Sequence, residues 1–285
     1  MRKFTVEKKR ILSDNKPMTI YILKPILQAK RREETPGLLW IHGGGYITGM
    51  AKMFYMSRAL DLVVKYGAVV VTPEYRLSFQ APYPAALQDC YAALRYMKAH
   101  HEELGFPPER IMVGGESAGG GLTAAVCMYA RDRKEINIAF QLPLYPMLDD
   151  RDTPSSVDNH APVWNTRWNH IGWNAYLGAL RHREAPVYAA PARQTDYAGL
   201  PPAYTFVGDR DPFYSETLTY IENLRKAGIP AKVDIYPGGV HAFDMLLPYK
   251  KISKQAIAAF EENFVYAAAH YTAPQPEMLK TVAAV

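Results

Sequence analysis

The stretch Val113–Gly121, VGGESAGGG, limits the fold of this chain more than any other segment. A short apolar run, Arg110 to Gly115, precedes it, and a helical pattern from Ala118 to about Tyr129 follows. Gly115-Glu116-Ser117-Ala118-Gly119 fits G-x-S-x-G, a strand–turn–helix elbow that exposes one serine hydroxyl. Such a turn forces its serine into a strained backbone conformation, and side chains at the flanking positions would clash; glycine removes the clash. Ser117 then sits at a helix start, where free backbone N–H groups favour developing negative charge. The motif is short. A glycine-rich helix start with a capping serine is the competing explanation, whereas a phosphate loop would need a Lys that does not follow.

Other segments repeat the strand-then-helix order. Met18 to Leu27, Gly37 to His42, Ala68 to Tyr75, Ala139 to Pro146, Ala203 to Gly208 and Lys232 to Gly238 read as strands. AVVVTPEY carries consecutive apolar residues, the pattern of a strand buried on both faces. Helical spacing recurs over Pro84 to Leu104, Ser215 to Ala227 and Ser253 to Ala269. This alternation predicts an α/β fold, a mostly parallel central sheet covered by helices on both faces. The segment 149–200 breaks the alternation. It opens on the polar DDRDTPSSVDNH, turns helical around Asn165 to Leu180, and holds three of the four tryptophans, Trp164, Trp168 and Trp173. It reads as an insertion over one end of the sheet, with the tryptophans either lining a pocket or gluing the insertion down.

Composition narrows the partners. The 285 residues are 48% hydrophobic and 21% charged, a globular balance, with a net charge of +5. Lys8 to Arg10 and Lys30 to Arg32 are basic runs beside acids or turn residues, which reads as solvated surface and not as a nucleic-acid patch. Cys90 and Cys127 lie in apolar helical patterns without metal-ligand spacing, so buried free thiols and a reducing compartment are expected. No apolar run approaches the ~18 residues of a membrane span, and the N-terminus lacks an apolar core of signal-peptide length; the expectation is a soluble, cytoplasmic protein.

A second glycine-rich feature, IHGGGY (Ile41–Tyr46), ends a predicted strand. Its exposed N–H groups suit acyl transfer, which needs donors about 3 Å from the oxygen that becomes negative. Gly44 and Gly45, with Ala118, are the candidate donors. A serine nucleophile also needs a base. Of the eight histidines, His100, His101, His160, His170, His182 and His270 fall on a helix end, in the insertion or near the C-terminus. His42 heads the glycine run and reads as a brace for it. His241, in GGVHAF, follows the last predicted strand, and catalytic groups on such sheets gather at the strands' carboxyl ends. An acid must orient that base. Asp209 and Asp211 in FVGDRDPF are both candidates, with Glu216 a weaker one. Serine, acid and histidine in this chain order match the elbow-bearing folds.

In HGGGY, YRL…YPAALQD, GESAGGGL, YAAPARQTDYAGLPPAY, GDRDPF and HAF, the chain resembles the hormone-sensitive-lipase-like carboxylesterases of the α/β-hydrolase fold, bacterial esterase family IV. The resemblance implies that Asp211, in the Asp-Pro-hydrophobic step, is the acid of a Ser117–His241–Asp211 triad, and that Gly44, Gly45 and Ala118 form the oxyanion hole. It implies one α/β-hydrolase domain over 1–285 with a small helical cap at 149–200. Only 41 residues precede His42, so the N-terminal share of the lid, 1–17, is expected to be short. The chain departs from the family at Glu116, where Asp is usual, at Ala242 in place of the Gly of His-Gly-Phe, and at Ser78-Phe79-Gln80 in place of Ala-Pro-Glu. The longer acid at 116 is expected to alter local hydrogen bonding and leave the chemistry untouched.

The expected function is a serine esterase acting on small short-chain esters through an acyl-enzyme. It would need neither cofactor nor metal, and its activity would rise as the histidine base loses its proton. Trp164, Trp168 and Trp173 are the candidate pocket walls. An amidase or deacetylase with the same triad, a silent small-ligand binder and an interaction module built on the aromatic insertion are the rivals. Homodimerisation through an edge strand is common in the resembled family. An insertion folded over Ser117 would favour the enzyme; one projecting away would favour docking.

Overall fold

The computed structural model describes residues 3–26 and 32–276. The turn expected between the first two predicted strands, and the basic run at 30–32, lie partly outside them.

Among the described residues, eight strands form one sheet: β1 (Phe4–Ser13), β2 (Lys16–Pro25), β3 (Gly37–Ile41), β4 (Val69–Pro73), β5 (Ile111–Glu116), β6 (Phe140–Leu144), β7 (Ala203–Gly208) and β8 (Ala231–Tyr236). Their spatial order is β1-β2-β4-β3-β5-β6-β7-β8. β3 through β8 run parallel, and β2 is antiparallel to both β1 and β4. β3 to β7 are buried at every residue, which is why their sequences are mostly apolar, the exceptions being Thr72, Glu116, Gln141 and Thr205.

The helices are α1 (Arg58–Tyr66), α2 (Ala85–Ala99), α3 (His101–Leu104), α4 (Ala118–Arg133), α5 (Thr166–Leu177), α6 (Tyr214–Lys226), α7 (Phe243–Leu246) and α8 (Lys251–His270). One face of the sheet is covered by α2, α4 and α6 through residues such as Leu94, Leu122 and Ile221. The other is covered by α1 and α8 through Leu62, Val63, Phe260 and Phe264. Gly119 on α4 shows what this packing demands: a Cβ there would collide with the Ile41 and His42 carbonyls, so only glycine lets α4 settle against the end of β3.

Two expectations need correction. Residues 1–17 were expected to form part of the lid; instead Phe4–Ser13 is the edge strand β1, paired along its whole length with β2. Its backbone donors and acceptors are used by the ladder. Ser13 Oγ further donates to the buried Asp89 at 2.5 Å, and Asp89 also takes Arg76 Nε at 2.9 Å, so the strand end is tied to α2. The second correction is α1, where the sequence reading assigned no element; Ser57 caps it, its Oγ accepting the Ala59 N–H.

Cys90 and Cys127 are free and buried, as expected. Among the described residues, no helix is long and apolar enough to cross a membrane.

Candidate active site

The strand order reverses its direction of growth around β3, with β4 on one side and β5 on the other. Ligands on open parallel sheets bind beyond the carboxyl ends at such a point. Here the loop after β3 carries His42 to Gly45 and the turn after β5 carries Ser117, while Asp211 follows β7 and His241 follows β8.

Ser117 has φ 58° and ψ −121°, a left-handed backbone that non-glycine residues avoid. The elbow is held by the Ser117 N–H, which donates to the Leu144 carbonyl at 3.0 Å, and by the Ser117 carbonyl, which accepts from Met147 and Gly121 at 3.0 Å each. His241 Nε2 lies 2.9 Å from Ser117 Oγ, and His241 Nδ1 lies 2.8 Å from Asp211 Oδ2. Asp211 Oδ1 accepts the Phe213 N–H at 2.9 Å. All three side chains are buried, and the imidazole is boxed edge-on by Tyr145 and Phe213, with ring centroids 5.2 and 5.1 Å away. Packing of this kind leaves the ring one orientation.

The other acids are otherwise engaged. Asp209 Oδ1 accepts the Gly238 N–H at 2.7 Å, a loop-closing role. Glu216 Oε1 accepts the Leu148 and Asp149 N–H groups at 2.6 and 3.3 Å, fastening the start of the insertion. Burial raises its carboxyl well above the ordinary range. His42 stacks on Tyr75 at 4.1 Å and its Nδ1 lies 2.7 Å from the Gly43 carbonyl. Burial pushes His42 down to about 4, so it stays neutral and braces the loop.

The glycine loop lies against the nucleophile. A Cβ on Gly43 would stand 3.1 Å from Ser117 Cβ, while Gly44 and Gly45 follow at φ 120° and 59°. At Gly45 a side chain would also run into the indole of Trp164. The insertion therefore reaches the glycine loop and the His241 ring through Trp164. The Trp164 ring is 6.4 Å from His241, and Trp168 stacks outside it at 6.5 Å and is 45% exposed. Trp173 lies elsewhere than the pocket wall expected of it: it is buried against Tyr46 and Tyr176. Five residues beyond Trp168 on α5, it points about 140° around the helix, into the core. Ala242, the departure from His-Gly-Phe, sits at φ 55°, so the substitution adds backbone strain to its extra methyl.

Sequence reading missed one group of residues beside the site: Trp40, Arg58, Tyr145 and Asp244. Trp40 Nε1 donates to Glu116 Oε2 at 2.9 Å, and Arg58 Nε lies 3.4 Å from Asp244 Oδ2. Burial, then repulsion from Asp244, pushes Glu116 up to about 8 against the opposing pull of Arg58 and Trp40. One signal was available, an arginine at the head of an apolar helical stripe, Ala59, Leu62 and Val63.

A serine on an elbow, a histidine fixed by a buried aspartate and a glycine loop against the serine define, on this sheet, the class of α/β-hydrolases. A family profile for the alpha/beta hydrolase fold matches residues 38–245. The chain belongs to this family, in its hormone-sensitive-lipase-like carboxylesterase branch. It is similar to esterase LipI of Mycobacterium tuberculosis, 35% identical over 74% of this chain and 66% of the relative. It is also similar to carboxylesterase NlhH of the same organism, 34% identical over 74% of this chain and 67% of the relative. The matches thus span about two thirds of the length of these relatives. Among solved structures, a bacterial heroin esterase superposes with a TM-score of 0.86 at 34% identity, covering 94% of this chain and 84% of that one. A hyperthermophilic esterase from the archaeon Pyrobaculum calidifontis superposes with a TM-score of 0.83 at 27% identity, covering 93% and 84%.

Proposed function

We propose that the protein is a serine carboxylesterase acting on small esters with short acyl chains. The observation that carries this reading is the unbroken relay Ser117 Oγ–His241 Nε2, His241 Nδ1–Asp211 Oδ2, at 2.9 and 2.8 Å, beside the glycine loop. Ser117 Oγ attacks the ester carbonyl carbon while His241 Nε2 takes its proton. Asp211 keeps the other ring proton on Nδ1 and stabilises the imidazolium. The N–H groups of Gly44, Gly45 and Ala118 receive the oxyanion. His241 then gives its proton to the leaving alkoxide, the alcohol departs, and a water activated by His241 hydrolyses the acyl-enzyme.

The short-chain preference rests on Trp164. Its indole fills the space over Gly45, leaving little room for a long acyl chain beside the oxyanion loop. The test is a p-nitrophenyl ester series, acetyl through dodecanoyl, with the wild type and Ser117→Ala. Short esters turn over in the wild type, rates fall with chain length, and the variant loses turnover by about 10⁴-fold or more. Rates that rise toward dodecanoyl would overturn the substrate class; full activity in Ser117→Ala would overturn the mechanism.

A further inference from the structure

The relay uses none of the buried acids behind the elbow. Glu116 is 3% exposed and directly precedes Ser117; Asp244 is 0% exposed and lies three residues beyond His241. Arg58 faces Asp244 through Nε at 3.4 Å and pairs with Asp61 at 3.0 Å through Nη1, and its charge opposes the rise of Glu116. Tyr145 meets the His241 ring edge-on. Among the described residues, Glu116 Oε1 and both Asp244 oxygens have no hydrogen-bond partner that meets the geometry.

The groups that act on Glu116 are Trp40 on β3, Tyr75 after β4, Arg58 on α1, Tyr145 after β6 and Asp244 on α7; Asp61, also on α1, pairs with Arg58. On α8, Phe260 packs in a T-shaped contact with Trp40. One guanidinium therefore pairs with buried Asp244 and half-buried Asp61, and buried Glu116 has no paired cation among the described residues. Two ionised carboxylates in that enclosure would repel each other across a site that cannot rehydrate them, and a proton on one of them relieves this.

We propose that Glu116 is a positioning residue that must be uncharged, and that its ionisation, by repelling Asp244, parts the Ser117 elbow from the His241 loop and shuts the site from the alkaline side. Each acid is joined by a short piece of backbone to one half of the 2.9 Å Ser117–His241 contact, so repulsion between the acids acts directly on that contact. Neutral Glu116 keeps Trp40 Nε1 as donor and leaves Arg58 to the two aspartates. The direction of its titration agrees, since burial and Asp244 both raise it. Glu116 touches neither substrate nor reacting atoms.

This inference rests on the esterase reading, and the test separates the two. In the wild type, kcat falls above about pH 8 with KM unchanged. Glu116→Gln stays within about threefold of the wild-type rate at neutral pH and loses the alkaline fall. Asp244→Asn, which removes the repelled partner, loses it as well and decides the matter should the Gln variant not fold. Glu216 is a second buried acid with a raised titration, and a fall it caused would survive both substitutions. An alkaline fall that persists unchanged in either folded variant overturns the proposal, as does a Glu116→Gln enzyme that folds and is dead at every pH. Infrared spectroscopy reads the protonation without turnover: the carboxylic-acid absorption at neutral pH is expected to be weaker in Glu116→Gln than in the wild type, the buried Glu216 contributing equally to both. An identical absorption in the two proteins overturns the proposal even if no ester is hydrolysed, whereas a difference between them in a protein without esterase activity sinks the esterase reading alone.

Discussion

Asp211 divides its oxygens between main chain and side chain, Oδ1 on the Phe213 N–H and Oδ2 on His241 Nδ1. Both interactions need an acceptor, and only a carboxylate supplies two. An asparagine fills the same space but must turn its amide nitrogen toward one of the two donors. If that donor is His241, the ring proton moves to Nε2 and the base can no longer take a proton from Ser117. Asp211→Asn is therefore expected to lower kcat by about 10⁴-fold while leaving the thermal midpoint within a few degrees of the wild type. Steady-state kinetics and a melting curve on one preparation check both halves. A loss of tenfold or less would assign the orienting role to another acid. The choice between Asp209 and Asp211 shows where sequence reading stops. Two residues apart in one loop, they carry equal chemistry in the sequence, and only the family resemblance preferred Asp211. In three dimensions Asp209 closes the loop onto Gly238 and Asp211 meets the imidazole.

At the scale of elements, legibility follows burial. β3 to β7 are buried throughout and are readable as mostly apolar segments, β4 as a consecutive apolar run. β1 was not, because FTVEKKRILS lies at the sheet edge with charged residues toward solvent and too few apolar ones to set a period. The insertion was legible as aromatic and helical, and its placement was not: nothing in the spacing of Trp164 reveals that the indole rests on Gly45. That contact has a kinetic consequence. Trp164→Ala opens the space over the oxyanion loop, so the ratio of kcat/KM for octanoyl over acetyl esters should rise about tenfold or more, the scale set by fitting added methylenes into an apolar pocket. Removing a buried indole also costs about 3–5 kcal/mol of stability. A ratio measured on one preparation is blind to the folded fraction, which is why it is the quantity to follow. An unchanged ratio would move the acyl group away from Trp164.

For the molecule as a whole, the sequence shows 28 acids and 33 bases but not which of them folding takes out of water. Glu116, Glu216 and Asp244 are buried, and burial raises each above its ordinary value. His42 moves the other way, from 6.5 to about 4. The signs follow from linkage. An acid raised in the fold contributes fully below its unfolded value, 4.5 for Glu116, and loses that contribution as pH rises through about 8. A histidine lowered in the fold contributes fully above 6.5 and loses its contribution as pH falls through about 4. Between 4.5 and 6.5 the slopes of Glu116 and His42 oppose each other; between 6.5 and 8 His42 is silent and the buried acids act alone. Stability should therefore fall across that upper window, by about 1.4 kcal/mol per pH unit for each acid still protonated in the fold. Urea unfolding at pH 6.5, 7 and 8 measures the slope. Glu116→Gln cannot ionise, so its stability relative to the wild type should improve by about 1.4 kcal/mol for each pH unit climbed in the window. Parallel slopes in the two proteins would mean that Glu116 is already ionised at neutral pH, with Arg58 outweighing both burial and Asp244.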